Sequence, residues 1–405
     1  MPIAPGSTLG ILGGGQLGRM TALAARTLGY KVHALDPDPD CPARSVLDRC
    51  IVASFDDVAQ AAELASQCDV VTLEIEKIAT DGLVAAARFA PVRPSADVLA
   101  MVQDRGVQKG WLSRNGFPVG PFREVATSEQ LLEATRAMGG ACFVKSCVGG
   151  YDGRGQLRLS GNARLNDGAD GGAGGVGDLE REAAALFASL GGQRCVVEQA
   201  LDLEAELSVL VARSPSGKLA VYPPALNHHV DQILDWSLLP GPLSAAVTGQ
   251  AVQIALDLAV GLRVEGLLVV ELFLLKDGRL LINELAPRPH NSYHASEVAC
   301  ATSQFEQAVR AVCDLPLGSV EIVRPAAILN LLGDVWLGGA PPPFEAALEI
   351  PGVRLHLYGK RVARPGRKMG HLSATGRTPE EALVAAKLAM ARLSAQAGLP
   401  PLSGR

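Results

Sequence analysis

Apolar residues in the first hundred positions come in short blocks separated by longer amphipathic stretches. Thr8–Leu12 is a continuous apolar run of strand length, and Gly13-Gly14-Gly15-Gln16-Leu17-Gly18 leads from it into a helical pattern that lasts to Leu28. A second strand is predicted over 31–35, closed by Asp36 and a proline-rich segment, and another over Val70–Leu73. Strands that alternate with helices need crossover connections and build a parallel sheet. The start of the chain therefore reads as Rossmann-like.

Beyond about residue 101 the pattern changes. A capped helix is predicted over Ser128–Met138, an apolar strand over 141–144, and a glycine-dense turn after it. Residues 161–178 carry seven glycines among Asp and Asn, too little apolar surface to offset ordering, and read as a loop. A helix over 179–190, strands over 194–197 and 207–212, a long helix over 245–262, a hairpin over 267–284 and a helix near 303–313 follow. Past residue 320, short strands at 326–331 and 354–357 lead to a last helix. Thr378-Pro379-Glu380-Glu381 has the capping-box form that starts it, and Gly398 stops it. The expected class is α/β joined to α+β.

Composition narrows the function. The chain has 405 residues, 37 basic against 42 acidic, and a net charge of −5, which argues against a nucleic-acid footprint. No apolar run reaches the roughly 18 residues that would span a membrane, and the first residues lack the form of a signal peptide. Eight cysteines without a CxxC pair read as thiols of a cytoplasmic protein and not as a disulfide framework or zinc site.

Three constellations carry chemistry. Gly13-x-Gly15-x-x-Gly18 follows a strand, opens a helix and precedes Asp36, so it suggests a phosphate held at a helix N-terminus. NAD binding and a tight turn around some other phosphate are both open on this motif. In the hairpin, Asp277-Gly278 favours a two-residue loop, which sets Lys276 opposite Arg279, Phe273 opposite Ile282 and Glu271 opposite Glu284. Two carboxylates at ~4 Å in an effective dielectric of 20 repel by about 4 kcal/mol. A divalent cation removes that cost, and hard oxygens suit magnesium, with Asn283 adding a neutral oxygen nearby. Third, Lys145 ends an apolar strand just before Gly149-Gly150-Tyr151-Asp152-Gly153-Arg154-Gly155-Gln156, a loop fit to close over phosphates. The run Arg364-Pro365-Gly366-Arg367-Lys368-Met369-Gly370-His371 reads either as an anion site or as a solvated charge run, and His228 and His229 as surface histidines.

In this order the pieces resemble an ATP-grasp ligase, and more narrowly the 5-(carboxyamino)imidazole ribonucleotide synthase family of purine synthesis. The resemblance rests on GGGQLGRM at 13–20, TLEIE at 72–76, GGYDGRGQ at 149–156, NELAPRPHNS at 283–292, YGK at 358–360 and RPGRKMGH at 364–371. It implies a Rossmann-like domain over 1–100, an ATP-grasp domain over 101–313 with a lid at about 122–200, and a small C-terminal domain over 314–405. It implies ATP and Mg2+ as cofactors and 5-aminoimidazole ribonucleotide and bicarbonate as substrates, with carboxyphosphate between them. A cytoplasmic homodimer is the family tendency.

Residue by residue, the resemblance implies that Arg105 and Lys145 meet ATP phosphates and that Gly150, Tyr151, Asp152, Gly153, Arg154, Gly155 and Gln156 close over them. Glu198, Gln199, Ala200 and Leu201 match the adenine strip, Glu206 the ribose contact, and His229, Asn283 and Glu284 further nucleotide contacts. Glu271 and Glu284 match the metal ligands. Tyr151, Asp152, Arg288, His290, Asn291 and Lys360 match the groups around bicarbonate and the substrate amine. Gly15, Gln16, Leu17, Gly18, Glu76, Arg364 and Arg367 match the substrate-binding positions.

Lys77 stands where relatives carry histidine, and the stretch 161–178 exceeds the usual spacing. The chain matches no second carboxylase domain. Three other readings compete. Formate-dependent glycinamide ribonucleotide formyltransferase shares the nucleotide logic, an NAD oxidoreductase rests on the glycine turn alone, and a nucleotide sensor would need a broken site.

Overall fold

The computed structural model describes residues 1–139, 141–149, 156–159, 176–337 and 342–396, with backbone alone for 176–178. The chain forms two compact units: residues 1–100, 205–272 and 284–405 make one, and 101–204 with 273–283 make the other.

The first unit begins with a four-stranded parallel sheet in the order Arg49–Val52, Lys31–Asp36, Thr8–Leu12, Val70–Leu73. Its two central strands bury Leu9, Ile11 and Leu12 and Val32, Ala34 and Leu35, as a sheet covered on both faces requires. Leu9, Ile11, Val32 and Val70 pack with Val309 and Val312 of helix Gln304–Val312. Helix Gln16–Thr27 leaves the first strand through Gly13, which sits at φ 105.

The larger sheet runs Leu280–Ala286, Gly266–Leu275, Leu203–Arg213, Ala225–Val230, Ile233–Leu239, Ala326–Leu332, Lys368–Thr375, Val353–Leu357, with Leu219–Val221 paired to the third of these. Helix Pro379–Gln396 lays Ala382, Ala386, Ala389 and Leu393 against Leu329, Leu331, Leu372 and Ala374. That spacing is one apolar helix stripe, and alanines allow the close approach. Thr378 Oγ1 caps this helix by accepting the Glu381 amide at 3.2 Å, but the Glu381 carboxylate reaches back to the Arg377 amide, one residue before the expected reciprocal partner. Gly398 lies outside the described residues.

The second unit holds an antiparallel sheet ordered Phe122–Val125, Cys195–Gln199, Cys142–Ser146, Gln156–Leu159. Helices Ser128–Met138 and Val176–Ser189 cover it through Leu131, Ala134, Leu179, Ala183 and Leu186. The second helix takes the last three residues of the expected 161–178 loop; the rest of that loop lies outside the described residues. All eight cysteines are free thiols. Among the described residues no helix is long and apolar enough to cross a membrane.

Candidate active site

In the second unit Lys145 is the penultimate residue of the central strand Cys142–Ser146 and is buried. Its Nζ donates to Glu198 Oε2 at 3.0 Å and approaches Asn283 Oδ1 at 3.5 Å. Lys109 Nζ lies 3.4 Å from the other oxygen of the same carboxylate and donates to the Asn283 carbonyl at 3.3 Å. Burial pushes the Glu198 carboxyl up, and the two lysines outweigh it, so it stays below the usual carboxylate range. Two lysines on one carboxylate leave a net positive charge, as a polyphosphate site needs. Lys109 is absent from the sequence reading, although it follows Arg105 by four residues on helix Arg105–Arg114 and so shares its face. Arg105 Nη1 donates to the Ser146 carbonyl at 3.2 Å, and Asp104 caps the helix by accepting the Gly106 and Val107 amides.

The expected adenine strip is the C-terminal end of the interior strand Cys195–Gln199 and the two residues after it. The Gln199 amide donates to the Pro121 carbonyl at 3.1 Å and the Ala200 amide to Ala141 at 2.8 Å. Gln199 and Leu201 also line a cleft of about 510 Å³ with Val119, Phe122, Arg279 and Leu281. Gln156 starts a described strand; Gly150, Tyr151, Asp152, Gly153, Arg154 and Gly155 lie outside the described residues.

The hairpin loop differs from its expected form. The Gly278 amide donates to the Leu275 carbonyl and the Leu275 amide to Arg279, both at 2.9 Å. Residues 276–278 thus form a three-residue loop, with Gly278 at φ 84, and Leu275 instead of Lys276 faces Arg279. This one-residue offset removes direct opposition as the argument for a cation at Glu271 and Glu284.

The first unit supplies a better argument. Glu271 Oε1 lies 3.2 Å from His290 Nε2, and Glu76 Oε1 lies 2.7 Å from Arg288 Nε. Glu284, Glu76 and Glu74 all act electrostatically on Arg288, while Glu206 and Glu271 act on His229. Glu271 and Glu284 thus belong to one acidic, partly buried cluster of hard oxygen donors, a set that fits Mg2+. Glu206 Oε2 contacts His229 Nδ1 at 2.7 Å; burial alone would lower this imidazole's pKa, and the glutamates raise it above the ordinary value. A bulge between His228 and His229 separates the pair, and His228 stacks on Trp236. Neither is a bare surface histidine.

Asn291, just after His290, is buried, and both polar atoms of its side chain lack a hydrogen-bond partner among the described residues. Buried amides are seldom left so, and a bound ligand would satisfy it. Lys360 Nζ donates to Gln16 Oε1 and to the Lys368 carbonyl, each at 2.6 Å. Arg367 Nη1 donates to the Val362 carbonyl, and Arg364 is exposed. The run 364–371 is only half a charge run, since Lys368–Thr375 is an interior strand and His371 is buried.

The glycine turn also departs from expectation. Glu74, part of the TLEIE segment but given no role from sequence, accepts the Gly15 amide at 2.5 Å and the Gly18 amide at 2.7 Å. Asp36 accepts the Gly14 amide at 2.7 Å and the Asp38 amide at 2.8 Å. The helix N-terminus therefore already holds a carboxylate, and Gly15 and Gly18 do not offer those amides to a phosphate. Asp36 is likewise committed to the turn, which removes the carboxylate an NAD ribose would need. Burial raises the Glu74 carboxyl above its ordinary range, against the two amides that lower it.

Residues 7–103 match the ribonucleotide synthetase preATP-grasp domain, 111–305 the ATP-grasp domain, and 326–384 the phosphoribosylaminoimidazole carboxylase C-terminal domain. These matches define the chain as an ATP-grasp enzyme with flanking preATP-grasp and C-terminal domains. The N5-carboxyaminoimidazole ribonucleotide synthase of Brucella melitensis is 41% identical over 92% of this chain and 97% of its own. That of Bacillus subtilis is 38% identical over 92% of each. The chain belongs to the N5-carboxyaminoimidazole ribonucleotide synthase family. Among solved structures, an ADP complex of such a synthetase superposes with a TM-score of 0.86 at 39% identity, over 96% of this chain and 97% of the other. The Aspergillus clavatus enzyme with ADP and 5-aminoimidazole ribonucleotide superposes with a TM-score of 0.84 at 30% identity, over 98% of this chain and all of the other.

Proposed function

We infer that this chain catalyses the ATP-dependent carboxylation of 5-aminoimidazole ribonucleotide to its N5-carboxylated form. The observation that carries the reading is the cluster at residues 284–291, where the Glu271–His290 and Glu76–Arg288 pairs accompany an Asn291 amide without a partner among the described residues. Bicarbonate is the carbon source in this proposal. One of its oxygens bonds to the γ-phosphorus of ATP as the bond to the ADP oxygen breaks, giving carboxyphosphate. The substrate amine then bonds to the carboxyl carbon, phosphate leaves, and the amine gives up a proton.

Lys145, Lys109 and Arg105 serve the first step as fixed positive charge against phosphoryl oxygens. Glu271 and Glu284 would hold Mg2+, which neutralises phosphate charge when bound. Glu198, Gln199, Ala200, Leu201, Glu206 and His229 are proposed for the nucleoside end. Arg288, His290, Asn291 and Lys360 are proposed around bicarbonate and the amine, with Gln16, Leu17, Glu76, Arg364 and Arg367 on the ribonucleotide. Residues 150–156, with Tyr151 and Asp152 against the reacting groups, are proposed to exclude water from carboxyphosphate. A cytoplasmic homodimer completes the proposal.

The test is phosphate release from ATP and Mg2+, omitting bicarbonate or the ribonucleotide in turn. Release that depends on the ribonucleotide, with trapped carboxylated product, supports the reading. Release with formate and glycinamide ribonucleotide, but not with this pair, would replace the substrate assignment.

A further inference from the structure

Three histidines stack in a row beside the segment that carries His290 and Asn291. His371 lies between His294 and His356, with ring centroids 4.7 and 5.1 Å away and interplanar angles of 16° and 13°. His356 and His371 are direct cross-strand partners on Val353–Leu357, the sheet edge, and Lys368–Thr375. Glu297, from the short helix Ser296–Ala299, points at both: its Oε2 is 3.7 Å from His356 Nδ1 and 4.0 Å from His371 Nε2.

We propose that Glu297, His356 and His371 form a binding site for a late first-row divalent cation such as Zn2+. One donor atom from each residue lies within 4.8 Å of the others. Tetrahedral zinc with bonds of about 2.0–2.1 Å needs ligand atoms about 3.3 Å apart, so closure takes shifts of roughly 1 Å. Two imidazoles and one carboxylate suit zinc or cobalt better than magnesium, and leave a fourth position for water.

Each ligand meets its requirement separately. His371 is 1% exposed and its Nδ1 lies 2.9 Å from the Tyr358 hydroxyl. With Nδ1–H donating to that oxygen, Nε2 keeps its lone pair toward Glu297, the arrangement that orients metal-bound histidines. Burial holds both imidazoles below their ordinary pKa, which favours the neutral form that a metal needs. The side chains of His356 and Glu297 are 26% and 31% exposed, which gives an ion access from solvent. Because parallel rings cannot both aim at one ion, binding turns His356 about its Cβ–Cγ bond while the pinned His371 stays. Among the described residues the Glu297 carboxyl has no lysine or arginine within salt-bridge distance, only these two imidazoles.

The test uses full-length protein stripped with chelator and held in excess Mg2+, which occupies hard carboxylate sites. Co2+ is added and followed by its visible absorption, and Zn2+ by calorimetry and thermal melting. The expected result is one ion per chain, a cobalt spectrum without a thiolate charge-transfer band, and a rise in Tm with Zn2+. His356→Ala and Glu297→Gln each weaken binding at least tenfold, and Tyr358→Phe about tenfold through the loss of the orienting hydroxyl. His356→Ala lies on a sheet edge and Glu297→Gln is isosteric, so a folding failure in one leaves the other informative. No saturable 1:1 binding, a thiolate band, or affinity unchanged in both variants would overturn the site.

Discussion

The amide of Gly18 donates to Glu74 Oε2 at 2.7 Å, across 56 positions of sequence. The same glycine sits where a Cβ would stand 2.4 Å from the carbonyl oxygen of Gly13, a backbone atom that has nowhere to go. Gly18→Ala is expected to cost about 1–3 kcal/mol, the range of overpacked sites. Urea unfolding measures it, and a variant within about 0.5 kcal/mol of the parent would show that the turn can open.

Lys145→Met removes one of two cations on Glu198 and leaves Lys109 at 3.4 Å, so the fold is expected to survive. ATP binding should weaken at least tenfold and kcat fall on the order of 10²-fold, as when one preorganised donor is lost. Calorimetry with ATP and steady-state phosphate release check the two separately. Unchanged kcat would remove Lys145 from the phosphate site.

Glu284→Gln keeps size, deletes a charge and replaces one acceptor oxygen with an amide donor. Turnover is expected to vanish and Mg-ATP affinity to drop, with the loss only partly recovered at high Mg2+. A near-parental rate would sink the metal assignment.

Asp48 Oδ2 accepts the Val32 amide at 2.8 Å and Arg26 Nη1 at 2.9 Å. The Val32 hydrogen bond, with Arg26, holds this carboxyl below the usual range. A depressed folded-state pKa stabilises above the unfolded value of about 3.9 and loses that effect as pH falls through the folded one. Asp48→Asn should therefore lower the urea midpoint at pH 7 and leave it nearly unchanged near pH 2.

The parallel sheet was legible because its strands are short, mainly apolar blocks, Leu9–Leu12 and Val32–Leu35 (broken only by His33) among them. The hairpin of Ala225–Val230 and Ile233–Leu239 was not. Its turn is Asp231-Gln232, with both residues at positive φ (49 and 66) and no glycine to announce it. Conversely, Asp277-Gly278 announced a two-residue loop and formed a longer one. In the site, charged residues inside apolar strands stood out from sequence, as Lys145 and Glu271 did. Glu74 and Lys109 did not, because what marks them is a partner reached only through the tertiary fold.

Strand Lys368–Thr375 lies between Ala326–Leu332 and Val353–Leu357, yet follows both in the chain. A ribosome releases the two outer strands first, and at roughly 5–20 residues per second the middle one arrives about 2–7 s after Leu332. Until then Ala326–Leu332, buried at every position in the finished protein, offers an open edge to whatever strand comes near. A nascent chain arrested before residue 368 would be a substrate for chaperones, whereas one arrested past residue 375 has the sheet to close on.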